Sequence, residues 1–144
     1  MIEELKELLK IHEGTGPMKK GRHQMYQDSE DIWTIGYGRN IQERGLSTAE
    51  ADFLLDNDIA DSIRDCHKFD WYGALDEARQ LVVTDMVFNM GLGRFMGFRK
   101  TIDFIERGLY EKASVEMMDS KWAKQVGPRA VRLSEIMKTG EIDA

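Results

Sequence analysis

One cysteine, Cys66, is all the chain offers to thiol chemistry, so an intramolecular disulfide, a zinc finger and a dithiol redox pair are excluded. Cys66 reads instead as a small packing residue. No stretch reaches the roughly 18 uninterrupted apolar residues of a membrane-spanning helix. The opening residues, Met1-Ile-Glu-Glu-Leu-Lys-Glu7, are too charged for a secretory signal. The chain is therefore expected to be made soluble in the cytoplasm, with no stable membrane insertion. Positive charge is scarce as well: 20 Lys and Arg against 26 Asp and Glu leave a formal charge of −6 and a pI near 5.1. That is the wrong sign for a phosphate binder, and no nucleic-acid partner is expected. His12, His23 and His67 lack ligand spacing, because His12-Glu13 has no second histidine one helical turn on. Neither a metal nor another cofactor is expected. With no Gly-x-Ser-x-Gly elbow and no phosphate loop, acyl and phosphoryl transfer have no support.

What is present suits one functional unit of 144 residues. Ile2, Leu5, Leu8, Leu9 and His12 recur at helical spacing, which predicts an amphipathic helix over 2–12 closed by Gly14. Residues 15–24, with two glycines and a proline, read as a loop. Met25-Tyr26-Gln27, a polar turn and Ile32-Trp33-Thr34-Ile35 read as a hairpin that Gly36 and Gly38 end or bend. Ser47-Thr-Ala-Glu50 is a capping box, from which Phe53, Leu54, Ile59 and Ile63 carry a helix to about Cys66. Helices follow near 75–90, 98–107, 109–119 and 128–138, the last opened by Pro128. Met86, Met90, Met96, Met117 and Met118 are expected to fill core gaps. Charge is uneven: Glu50, Asp52, Asp56, Asp58, Asp61, Asp65 and Asp70 crowd one stretch, and Lys19, Lys20 and Arg22 cluster before the hairpin.

Two carboxylates in unlike settings can divide the roles of proton donor and base, as cleavage of a glycosidic bond requires. Glu13 lies at a helix C-terminus, whose partial negative charge opposes ionisation and suits a proton donor. Asp28 lies at a strand-to-turn junction, and the hairpin returns Thr34 to its neighbourhood. Individually these are an ordinary helix end, a turn residue and a strand residue.

Their order carries more. Glu13-Gly14 at a helix end, Tyr26-Gln-Asp28, and Trp33-Thr34-Ile-Gly36-Tyr-Gly38 together resemble the T-even phage-type lysozymes, a family of glycoside hydrolases. Met86-Val-Phe-Asn89-Met-Gly91, Gly97-Phe98, Ser120-Lys-Trp122 and Pro128-Arg129-Ala-Val-Arg132 match the helical motifs of that family, so the likeness spans about residues 5–140. It implies a single α+β, mostly α, lysozyme-like domain over 1–144. A hairpin lobe would occupy about 13–46, a connecting helix 47–68 and a helical lobe 69–144, with helix 2–12 packed on the last.

The resemblance further implies a muramidase that acts on bacterial peptidoglycan. Glu13 would be the general acid, and Asp28 and Thr34 would hold and activate the attacking water. Arg129 falls where the family pairs an arginine with that glutamate, and Asn89 at a polar, substrate-contacting position. A hydroxyl that orients water points to inversion, for which the two carboxyls stand roughly 6.5–9.5 Å apart. A phage endolysin dependent on a holin, monomeric, and moving from the host cytoplasm to the wall, is the expected context. Two other readings stay open: a lytic transglycosylase, and a catalytically silent module that binds peptidoglycan. The chain departs from the family in a longer Glu13–Asp28 interval, in Arg39 where histidine is common, and in its acidity.

Overall fold

The computed structural model describes residues 1–142; positions 143–144, the end of the expected helical lobe, lie outside the described residues. The chain divides into two compact units, Met1–Phe53 and Leu54 onward. The architecture is α+β and mostly α, with every described strand in the first unit.

In the first unit, α1 (Ile2–Glu13) stops where Gly14 turns to a φ of 66° and returns its N–H to the Lys10 carbonyl. A side chain resists that backbone setting, and glycine does not. Where the sequence suggests a loop, the chain forms a short hairpin of β1 (Met18–Lys19) and β2 (Arg22–His23). Lys20 and Gly21 both take positive φ, 51° and 74°, which is the twist of the two-residue turns that favour hairpins. Next comes an antiparallel sheet of β3 (Tyr26–Gln27), β4 (Trp33–Ile35) and β5 (Arg39–Asn40), with β4 central. Tyr26 and Asn40 flank Thr34 in register.

A one-turn helix, α2 (Ile41–Arg44), leads into α3 (Thr48–Cys66). The capping box is present in both directions: Ser47 Oγ accepts from the Glu50 amide at 3.1 Å, and Glu50 Oε1 accepts from the Ser47 amide at 2.7 Å. Arg39 reaches the same carboxylate with both terminal nitrogens, at 2.6 and 2.9 Å, and tethers β5 to the start of α3. The two Ser47 hydrogen bonds, followed by Arg39, hold Glu50 below the usual carboxylate range.

The second unit is built on packing. It comprises the rest of α3, a 3-10 turn at Tyr72–Ala74, α4 (Glu77–Met90), α5 (Leu92–Met96), α6 (Arg99–Glu106), α7 (Tyr110–Met118), α8 (Lys121–Val126) and α9 (Pro128–Thr139). Val82, Val83 and Met86 meet Phe95, Ile105, Met117 and Met137 in one continuous core. Phe95 lies edge-on to Phe69 and stacked toward Phe98. Of the methionines expected inside, Met86 and Met117 are fully buried and Met90 packs against the core. Met96 and Met118 are instead exposed, because each falls at the last residue of a short helix. Cys66 is buried with its thiol on Thr84 Oγ1, and burial pushes its pKa upward, as befits an inert packing group.

Arg79 ties the beginning of α4 to the end of α9. Its Nε donates to the Met137 carbonyl at 2.7 Å and its Nη2 to the Lys138 carbonyl at 3.1 Å, so two of the orphan acceptors of a helix C-terminus are met. Its plane lies 3.8 Å from the centre of the Tyr110 ring.

Candidate active site

The hairpin of β3 and β4 positions Asp28 and Thr34 through a shared neighbour, Ile32. Asp28 Oδ1 accepts the amides of Glu30 at 2.8 Å and Ile32 at 3.0 Å. The Asp28 amide donates to the Ile32 carbonyl at 2.9 Å, and Asp31, at a φ of 61°, completes the turn by donating to the Asp28 carbonyl. Asp28 thus folds its own loop, as aspartate does in turns where the side chain bonds an amide two residues on. Thr34 Oγ1 donates to the same Ile32 carbonyl at 2.9 Å. Both backbone groups of Ile32 are therefore committed, the N–H to Asp28 and the carbonyl to Asp28 and Thr34.

This leaves a defined residual capacity. Thr34 has spent its hydroxyl proton, so only its lone pairs remain to accept, and at 4% exposure it has little freedom to turn. Asp28 Oδ2 takes no hydrogen bond from the described residues, and the side chain is half-buried. A carboxylate oxygen and a hydroxyl lone pair are both acceptors.

Glu13, the last residue of α1, is exposed and lies against Gly38. A Cβ added to Gly38 would come within 2.5 Å of Glu13 Oε2, and Gly38 has a φ of 76°, so both space and backbone require glycine there. The strand end that β4 feeds thus backs the carboxylate. Tyr37 beside it carries Lys10 of α1 over its ring, 5.5 Å from the centroid.

Asn89 and Arg129 belong to the second unit, whereas Glu13, Asp28 and Thr34 all belong to the first. Asn89 Oδ1 accepts the indole N–H of Trp122 at 2.8 Å, which fixes its amide with the NH₂ pointing away from that bond. A groove of about 750 Å³ runs past Trp122, Met90 and Phe98, with Arg94, Arg99 and Lys121 on its walls. Arg129 is held by Asp85, whose Oδ1 accepts from Nε at 2.8 Å and lies 2.6 Å from Nη2. Pattern reading passes over Ile32, Gly38 and Asp85 as site components. The Gly-x-Gly spacing is a signal for Gly38, but no local signal marks the other two.

The phage lysozyme family model matches residues 13–135, a span that opens on Glu13 and includes Asp28, Thr34, Asn89 and Arg129. Two proteins of Dictyostelium discoideum, probable T4-type lysozymes 1 and 2, are 25% and 26% identical to the chain. Those alignments cover 100% and 99% of this chain and 99% and 98% of the relatives. The pre-baseplate central spike protein Gp5 of Enterobacteria phage T4 is 27% identical over 85% of this chain and 26% of its own length.

Proposed function

The chain belongs to the phage lysozyme family, and on that premise we propose that it is a muramidase, hydrolysing the β-1,4 bond from N-acetylmuramic acid to N-acetylglucosamine in bacterial peptidoglycan. What supports the reading is that Asp28 and Thr34 are both anchored on the Ile32 backbone, with Asp28 Oδ2 and the Thr34 lone pairs left to accept. A water that donates one proton to each presents its lone pair to the anomeric carbon. Glu13 delivers a proton to the leaving oxygen as the glycosidic bond breaks, and Asp28 receives a proton from the water as the new C–O bond forms. One water is consumed and each carboxyl ends with the other's initial charge state. Attack by a water held on Asp28 inverts the anomeric configuration. Asn89 and Arg129 serve as supporting residues: Asn89 through its free amide protons, and Arg129 as a cation poised by Asp85 to orient a carboxylate.

In this reading the protein is a monomeric phage endolysin that accumulates in the host cytoplasm and reaches the wall once a holin opens the inner membrane. Mass spectrometry of fragments released from purified peptidoglycan tests the reaction. Hydrated reducing ends from the parent, and none from Glu13→Gln, are expected. Anhydro ends from the parent would replace hydrolysis by transglycosylation, and no release by either folded protein would leave a binding module.

A further inference from the structure

The turn between α1 and β3 holds positive charge that nothing in the fold uses. Lys19, Lys20 and Arg22 are exposed, and no described residue forms an ion pair with any of them, in a chain whose net charge is −6. Lys19 and Arg22 are direct cross-strand partners. Like charges directly opposite in an antiparallel pair destabilise it, so the hairpin carries an uncompensated repulsion on one face. An anion bridging the two removes that repulsion and adds two charge-assisted hydrogen bonds.

The hairpin is also organised in advance. The Gln24 amide donates to the Pro17 carbonyl at 2.9 Å, closing the base of the ladder. His23 lies edge-on to Tyr37 with centroids 5.3 Å apart, and its Nδ1 lies 3.3 Å from the Thr15 carbonyl. Gly16 presses on the Tyr26 ring so closely that a Cβ there has no room. Tyr37 is the neighbour of Gly38, against which Glu13 lies. The basic turn is therefore tied, within the first unit, to the strand end that backs the proposed acid.

We infer that the Met18–His23 hairpin is a subsite for the carboxylates of the peptide stem on peptidoglycan, bridged by Lys19 and Arg22 with Lys20 beside them. The inference rests on the muramidase reading, which supplies the occupant: each muramic acid carries its stem covalently, so free carboxylates arrive with any bond presented to Glu13. A phosphate-rich wall polymer carries the same sign of charge and is the competing occupant. The preference is for stems with free rather than amidated carboxyls, and it weakens with salt as exposed charge pairs do.

The test compares the parent with K19Q/K20Q/R22Q on uncrosslinked glycan strands bearing free-carboxyl stems and on the same strands stripped of stems by an amidase. On stem-bearing strands the variant should raise KM about 3- to 10-fold with kcat unchanged, and on bare strands it should match the parent. Equal KM on stem-bearing strands overturns the subsite, as does an equal rise on both substrates. Co-sedimentation separates this result from the catalytic reading, because it needs no turnover. In a Glu13→Gln background, the three substitutions should release the protein from stem-bearing sacculi and not from stripped ones. Release that follows removal of phosphate polymer instead of removal of stems also overturns it. Circular dichroism on every variant establishes that the fold is retained.

Discussion

Among residues 1–53, Thr34 alone is buried, whereas every buried hydrophobic side chain among the described residues lies between Cys66 and Met137. The first unit places Glu13, Asp28 and Thr34 by turn hydrogen bonds, positive-φ glycines and one capped helix start, with almost no apolar interior. The second unit reverses that balance, with a continuous core and only two of the candidate residues. Hydrogen bonds each add little net stability because water competes for them, but they fix direction; burial adds stability without fixing direction. The division implies that chemistry and stability can be damaged separately.

The sharpest separation should come from Asp28→Asn. The amide oxygen still accepts the Glu30 and Ile32 amides, so the turn persists, while loss of the base should lower turnover by about 10²- to 10⁴-fold. Thermal unfolding followed by circular dichroism should be unmoved, and a large drop in midpoint would break the comparison. Phe95→Ala is the counterpart in the second unit. Removing a fully buried ring should cost about 3–5 kcal/mol in urea unfolding, with kcat per folded molecule preserved. A cost under about 1 kcal/mol would mean that the site collapses around the loss.

Gly38→Ala should act on geometry alone. The methyl group meets Glu13 Oε2 at 2.5 Å on a backbone that disfavours it, so the carboxylate must move. Misplacement of about 1 Å can cost 10²-fold in rate; a zymogram and a steady-state assay would detect it, and full activity would remove Gly38 from the site. The smallest effect is expected at Glu50. Its folded pKa is depressed by Ser47 and then Arg39, so its contribution to stability is present above the ordinary carboxylate value and is lost as pH falls through the lower folded value. The protection factor of the Ser47 amide, the slowing of its exchange relative to an unstructured amide at the same pH, should therefore fall on acidification in the parent and should be less pH-sensitive in Glu50→Gln. An unchanged acid response in the variant would mean that another group controls the cap.

Legibility in the sequence follows the same division. α1 with its glycine stop, the capping box at Ser47, the end of α3 at Cys66 and Pro128 at the first turn of α9 are all local signals, and each is found where the pattern puts it. The two-residue strands of the basic hairpin, and β5, are too short to show a period, and Lys20-Gly21 resembles any exposed turn. α2, α5 and α8 span four, five and six residues, under two helical turns, so no apolar stripe can announce them. Glu13, Asp28 and Thr34 are singled out as candidates by their motifs. Ile32 as the shared anchor, Gly38 as the surface behind Glu13 and Asp85 as the holder of Arg129 are through-space relations that no spacing encodes.

The Arg79 clamp bears on how the second unit comes into being during synthesis. Its two acceptors lie 58 and 59 residues downstream, so one guanidinium closes a loop that takes in most of that unit. Loop-closure entropy must be met before such a distant contact repays it, which places this one late in folding. Until α9 is complete the Arg79 guanidinium has only Asp76 to pair with, and its Nε and Nη2 lack the Met137 and Lys138 carbonyls. The second unit is in this respect a clasp that stays open until α9 emerges.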